Sequence, residues 1–210
     1  MSKLLLIGGG GHCHSVIDSV LNADLYDEIG IVDYNDSCSY AGVSVIGTDD
    51  DIPSLIQQGW DNAFVTVGSV GDTMVRRSLY QMLRKYGIHI PSVVDLTAVI
   101  ANDAVISEGS YIGKRAVVNS GVHIGECGII NTGAVIEHDC KIGQFAHISS
   151  GAVLCGQVSV GDDTHVGAGS VVRQGINIGH YSLIGIGSVV VKDISDGVKA
   201  YGNPCRVVTT

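Results

Sequence analysis

The chain has 210 residues with 12 Lys or Arg and 21 Asp or Glu, which gives a formal net charge of −9 at pH 7. Binding to a nucleic acid needs a stripe of Lys and Arg, and this sequence has no basic cluster, so we exclude that function. The length suits two small domains, and the composition changes near residue 92. We predict a first domain over residues 1–92 and a second over residues 93–210.

The first apolar run, residues 4–7, is too short to span a membrane and is followed at once by glycines. We therefore expect no signal sequence, no membrane span and a cytoplasmic protein. No two cysteines have the C-x-x-C spacing, so we interpret them as reduced thiols that fill small spaces. They are Cys13, Cys38, Cys127, Cys140, Cys155 and Cys205.

Strands and helices alternate in the first domain, which is typical of a Rossmann-like α/β fold. The predicted strands cover residues 3–7, 29–32 and 64–67, and the predicted helices cover residues 12–21 and 73–86.

A run of four glycines, residues 8–11, separates the first strand from the first helix. Small residues before a helix N-terminus let the backbone approach a phosphate, so the loop predicts nucleotide binding. Cys13 replaces the third glycine of G-x-G-x-x-G, which favours one nucleotide over a dinucleotide, and a tight structural turn is the alternative. The candidate binding residues are Gly10, Gly11, His12, Asp33 at the end of the second strand and Gly68 at the end of the third.

From Val94 onward the sequence has an aliphatic residue at every sixth position. A period of six suits short extended segments that are each followed by a turn, so three segments make one coil of stacked parallel strands. Glycine or asparagine often follows the aliphatic residue, which we attribute to a positive φ at each corner. The aliphatic positions are Val94, Ile100, Ile106, Ile112, Val118, Ile124, Ile130, Ile136, Ile142, Ile148, Leu154, Val160, Val166, Val172, Ile178, Ile184 and Val190.

One corner of these coils differs from the others, because two carboxylates, Glu137 and Asp139, flank His138. A carboxylate beside a histidine orients the imidazole and stabilises the protonated form that appears when the ring accepts a proton. His138 is therefore a candidate general base, with either acid as its partner. A solvated corner histidine without a role is the alternative.

The glycine loop GGGGH, the run INTGAVIEHDCKIGQFAHIS and the tail from Gly202 to Val207 resemble the sialic-acid O-acetyltransferase and UDP-4-amino-sugar N-acetyltransferase family. That family belongs to the hexapeptide-repeat acyltransferases. The resemblance covers essentially the whole chain and implies a left-handed parallel β-helix and acetyl-CoA as donor. It also implies a homotrimer with sites between neighbouring subunits.

The same resemblance assigns roles to individual residues. His138 becomes the general base, Asp139 its orienting partner and Glu137 the alternate partner. Asn131 joins the residues that bind the acceptor. His147, half a coil from His138, could meet it only across a subunit boundary, and the pantetheine arm of the donor would lie along the corners at Gly156, Gly167 and Gly185.

The favoured function is N-acetylation of a nucleotide-linked amino sugar, and O-acetylation of a sialic acid or similar sugar is the alternative. Two other classes stay open, a non-catalytic scaffold and a β-helical metal hydratase. The hydratase needs three convergent histidines, and His138, His147 and His165 contain no His-x-x-x-x-His pair, so we predict no metal.

Overall fold

The computed structural model describes residues 2–208, which divide into two compact units. The N-terminal unit contains residues up to 69 and residues 74–96, and the C-terminal unit contains residues 70–73 and those from 97 onward. No helix among the described residues is long and apolar enough to cross a membrane.

The N-terminal unit is an α/β domain with a parallel sheet in the order β3-β2-β1-β4. The strands are β1 (Lys3–Ile7), β2 (Glu28–Val32), β3 (Val45–Gly47) and β4 (Asn62–Val65), with β5 (Val93–Val94) near the end of the unit, and the helices are α1 (Gly11–Ala23), α2 (Ile52–Gln57) and α3 (Met74–Tyr86). The Rossmann-like prediction is confirmed. The predicted third strand lies two residues too late, and β3 and α2 were not predicted.

Burial explains which elements the sequence revealed. Leu4, Leu5 and Leu6 in β1 are fully buried, which is the pattern of a central parallel strand covered on both faces. The edge strand β3 has only three residues, and its central Ile46 is exposed, so it shows no apolar run.

The C-terminal unit is a left-handed parallel β-helix in which most short strands pair with the strand 18 residues later, as His147 pairs with His165. Its strands are β6 (Val99–Ile100), β7 (Val105–Ile106), β8 (Tyr111–Ile112), β9 (Val117–Val118), β10 (His123–Ile124), β11 (Ile129–Ile130), β12 (Val135–Ile136), β13 (Lys141–Ile142), β14 (His147–Ile148), β15 (Val153–Leu154), β16 (Ser159–Val160), β17 (His165–Val166), β18 (Val171–Val172), β19 (Asn177–Ile178), β20 (Leu183–Ile184), β21 (Val189–Val190), β22 (Lys199–Tyr201) and β23 (Arg206–Val208).

These strands form three faces of the coil. The valine face contains β6, β9, β12, β15, β18 and β21, and the polar face contains β7, β10, β13, β16 and β19. The histidine face contains β8, β11, β14, β17 and β20 and is extended by β22 and by the antiparallel β23.

The prediction that the residue directly after each aliphatic has a positive φ is wrong. Positive φ occurs instead at the third residue after the aliphatic, as in Asp139 with φ 62° after Ile136 and Gly121 with φ 71° after Val118. Several residues other than glycine adopt it there, namely Arg115, Cys127, Asp139, Phe145, Gln157, Asp163 and Tyr181.

The glycines directly after the aliphatic residues are required by close contact between coils. A Cβ added to Gly143 would lie 2.5 Å from the backbone nitrogen of Asp162, and one added to Gly161 would lie 2.5 Å from that of His180. These glycines stack at the corner between the polar and histidine faces. At the corner between the valine and polar faces the same position holds Asn119, Glu137, Cys155 and Arg173.

We expect Gly161→Ala to lower the free energy of unfolding by about 1–3 kcal/mol, because the new methyl group overpacks a rigid backbone contact. Arg173→Ala is the matched control, since it changes an exposed residue at the same position of its hexapeptide, and it should stay within about 0.5 kcal/mol of the parent. Urea unfolding measures both variants. Equal stability of the two would contradict the close-contact explanation.

Candidate active site

His138 and Asp139 form a hydrogen-bonded pair at the corner between β12 and β13. The Nδ1 atom of His138 lies 2.8 Å from Oδ2 of Asp139. Asp139 adopts the left-handed conformation, which aspartate tolerates better than most residues, and this turns its side chain back toward the imidazole. The histidine side chain is 51% exposed, so the ring is accessible from solvent.

The hydrogen bond in this pair has the direction expected between a general base and its orienting acid. A carboxylate only accepts hydrogen bonds, so Nδ1 carries the proton and Nε2 keeps its lone pair. Among the described residues, the acid that contacts this imidazole is Asp139. The backbone N–H of Glu137 donates to the carbonyl of Leu154 in the next coil.

Bare glycines of the neighbouring coils lie against both side chains of the pair. A Cβ on Gly156 would be 2.4 Å from Nε2 of His138, and a Cβ on Gly121 would be 2.7 Å from Oδ1 of Asp139. The backbone N–H of Gln157 donates to the carbonyl of His138 at 2.8 Å. Gly156 therefore leaves the space that the imidazole occupies.

The nearby cysteines do not look like nucleophiles. Burial raises the pKa of the Cys140 thiol to about 11, and its Sγ donates to the Cys155 carbonyl at 3.2 Å. All six cysteines are free.

His147 lies on the histidine face, in β14, and not at the His138 corner. Its Nε2 lies 3.2 Å from Nδ2 of Asn131, while Oδ1 of Asn131 accepts from the N–H of Thr132. The His147 and His165 rings meet edge to face with centroids 4.7 Å apart, and Ser149 Oγ lies 3.1 Å from Nε2 of His165. The structure thus brings Asn131 and His147 together.

Gly156, Gly167 and Gly185 do not line one corner. Gly167 and Gly185 stack between the histidine and valine faces, whereas Gly156 belongs to the His138 corner. A Cβ on Gly167 would lie 2.6 Å from the backbone nitrogen of Ile186, and a Cβ on Gly185 would lie 2.7 Å from Cβ of Tyr201. Packing between coils therefore accounts for these two glycines.

In the N-terminal unit, Gly10 is the N-cap of α1 and Gly11 is its first residue. A Cβ on either glycine would meet no atom within 4 Å, so open space lies beside this helix N-terminus. The carboxylate of Asp33 is already engaged: Oδ2 accepts from the N–H of Gly9 at 2.7 Å and Oδ1 from that of Asn35 at 2.9 Å. Asp33 therefore fixes the glycine loop.

Burial, aided by the positive charge of Arg76, lowers the pKa of His12 to about 4. This imidazole is therefore neutral at pH 7. A Cβ on Gly68 would lie 3.4 Å from Cβ of His12, so these two candidate residues are neighbours.

An aromatic pair beside this loop was not predicted. The rings of His14, in the first turns of α1, and Tyr40 are stacked, with centroids 4.0 Å apart and planes 8° apart. Tyr40 begins a tight turn in which Ala41 and Gly42 have positive φ. The sequence offered an Ala-Gly turn as a signal, but nothing that connects Tyr40 to a helix 26 residues earlier.

In the part of the chain that the structure describes, no group of three or more His, Cys, Asp or Glu side chains is arranged to hold a metal ion.

Two family descriptions match the chain in the order of its units. Residues 3–83 match the PglD N-terminal domain, and residues 139–174 match the bacterial transferase hexapeptide (six repeats). No curated protein matches.

Solved structures match the chain over nearly its whole length. A variant of perosamine N-acetyltransferase from Caulobacter crescentus, in complex with CoA and GDP-perosamine, is 33% identical with a TM-score of 0.94, and the match covers 100% of this chain and 98% of that one. The acetyltransferase domain of PglB from Neisseria gonorrhoeae, in complex with acetyl coenzyme A, is 32% identical with a TM-score of 0.89 and 98% coverage of both chains. WeeI from Acinetobacter baumannii, at 24% identity, a TM-score of 0.87 and coverage of 99% and 100%, supports the fold alone.

The fold and the exposed His138–Asp139 pair define a hexapeptide-repeat acyltransferase with a Rossmann-like N-terminal unit. Within that class the chain belongs to the sialic-acid O-acetyltransferase and UDP-4-amino-sugar N-acetyltransferase family, and it is an acetyltransferase that uses acetyl-CoA.

Proposed function

We propose that the protein transfers the acetyl group of acetyl-CoA to the amino group of a nucleotide-linked amino sugar, with His138 as general base. The hydrogen bond between His138 and Asp139 on an exposed corner carries the proposal. The matched perosamine N-acetyltransferase, which was solved with CoA and a GDP-linked sugar, supports this class of acceptor.

The chemistry is direct transfer in a ternary complex. The amine lone pair attacks the thioester carbonyl while its proton passes to Nε2 of His138, and Asp139 stabilises the imidazolium that forms. Collapse of the tetrahedral intermediate breaks the C–S bond, and the CoA thiolate leaves and is protonated. The thioester is already activated, so no acyl-enzyme is needed. Transfer to a sugar hydroxyl by the same base is the alternative.

The N-terminal unit is proposed to bind the nucleotide part of the acceptor. A diphosphate would suit the N-terminus of α1 at Gly10 and Gly11, where backbone N–H groups can approach an anion, and the open space beside these glycines is consistent with that use. His12 and Gly68 border this loop. The stacked His14 and Tyr40 rings offer a flat surface of the kind on which a nucleobase stacks.

We also propose a homotrimer in which the donor lies between neighbouring β-helices and contacts His147. The outward residues of the valine face are all valine, at positions 99, 117, 135, 153, 171 and 189, and Val99 is 64% exposed. The outward residues of the polar face are mixed, with an exposed valine at one end, namely Val105, His123, Lys141, Ser159 and Asn177. A continuous apolar stripe that borders the His138 corner favours contact with another copy of the chain.

Six free thiols suit a reducing compartment, which supports our proposal that the protein acts in the cytoplasm.

His138→Asn should lower kcat by a factor of about 10² to 10⁴, because the amide cannot accept the amine proton. Thermal unfolding should be unchanged, since the side chain is half exposed. His123→Asn, an exposed histidine of the polar face, is the matched control and should keep parental turnover. Undiminished transfer by His138→Asn would refute the assignment of the base.

Gly10→Val should abolish acceptor binding and leave acetyl-CoA binding intact. The valine side chain would project into the open space beside the N-terminus of α1 without touching the rest of the protein. Calorimetry with each substrate separately measures the two affinities. Loss of donor binding with acceptor binding retained would show that the two sites are assigned the wrong way round.

Val135→Asp should convert the trimer into monomers and remove activity, because it places a charge in the middle of the valine face. Ser159→Asp places the same charge at the equivalent position of the polar face and should leave the trimer intact. Sedimentation velocity distinguishes the two states. A fully active monomer of the parent protein would disprove composite sites.

A further inference from the structure

Four residues with positive φ stack at the third position after the aliphatic along the His138 corner, one coil apart. They are Gly121, Asp139, Gln157 and Gly175, with φ values of 71°, 62°, 61° and 71°. Asp139 and Gln157 show that residues with side chains adopt this backbone conformation here. Positive φ alone therefore does not explain glycine at position 121.

The space beside Gly121 differs from the space beside Gly175. A Cβ on Gly121 would lie 2.7 Å from Oδ1 of Asp139, closer than real Cβ atoms approach an oxygen, whereas a Cβ on Gly175 would meet no atom within 4 Å. The two glycines share a corner and a φ value and differ in what a side chain would strike. At Gly121 it would strike the carboxylate that holds His138.

Hydrogen bonds to the preceding and the following coil hold the backbone at Gly121 in place. Oδ2 of Asp103 accepts from the Gly121 N–H at 3.1 Å and from Oγ of Ser120 at 2.7 Å. The carbonyl of Ser120 accepts from the N–H of Asp139 at 3.0 Å. Since the backbone is fixed, the exposed carboxylate of Asp139 is the group that would have to move.

We propose that Gly121 is a positioning residue for the catalytic pair. Because it has no side chain, the Asp139 carboxylate has room to hydrogen-bond through Oδ2 with Nδ1 of His138. The inference rests on the proposed function, in which Asp139 orients His138. It adds a residue from the preceding coil that acts on the imidazole through Asp139.

The test compares Gly121→Ala with Gly175→Ala, which share the strain of alanine at positive φ. Gly121→Ala should lower kcat about 10- to 100-fold with unchanged KM for both substrates, less than complete loss of the base. Gly175→Ala should match the parent in kcat and in both KM values, and the two variants should melt at the same temperature.

The double variant Gly121→Ala/Asp139→Asn separates positioning from any other effect. If Gly121 acts through Asp139, alanine at 121 should slow the Asp139→Asn enzyme by less than twofold. An equal slowing in both backgrounds, or a kcat for Gly121→Ala that equals that of Gly175→Ala, would overturn the inference.

His138→Asn distinguishes failure of the inference from failure of the proposed function. If that variant loses turnover while Gly121→Ala does not, only the inference is wrong, and if it keeps turnover both are wrong. Should Gly121→Ala not fold, Gly121→Asn puts a Cβ at the same point with a residue that tolerates positive φ better, and it should show the same loss of kcat relative to Gly175→Asn. Equal kcat values for these two variants would contradict the inference.

Discussion

The 18-residue register of the parallel strands is the constraint on which the C-terminal unit depends. Because the strands from β6 to β18 each pair with the one a full coil later, residues at equivalent corner positions stack in columns. The room available to any corner side chain is then decided by the residue one coil above or below it. Residue 161 has to be glycine because the backbone at His180 leaves no room for a side chain.

The candidate catalytic pair follows from the same constraint. Asp139 adopts the positive φ found at most corners of this type, and in this conformation its carboxylate reaches the neighbouring imidazole. The ring can lie against the coil because Gly156 has no side chain there. The stacked coils thus bring a histidine, an aspartate and two glycines together at this corner.

The sequence was sufficient for the coil, the Rossmann-like unit and the position of His138 beside a carboxylate, because periodicity and neighbouring residues are local signals. It did not decide between Glu137 and Asp139, since the choice depends on which residue takes the positive φ. Glycine serves both conformation and close packing, so its role at 125, 143 and 161 needed coordinates. The valine face repeats a valine every 18 residues, a pattern that stands out only when successive coils are compared. The His14–Tyr40 stack joins two segments that share no sequence pattern.

The account's central claim is that this corner deprotonates an amine on a nucleotide-linked sugar. Steady-state kinetics with acetyl-CoA and two acceptors that differ only in one group, a GDP-linked 4-amino sugar and its 4-hydroxy counterpart, test that claim most directly. The account predicts efficient transfer to the amine and little transfer to the hydroxyl. Transfer to the hydroxyl compound alone, or none to either under conditions where acetyl-CoA binds, would contradict it.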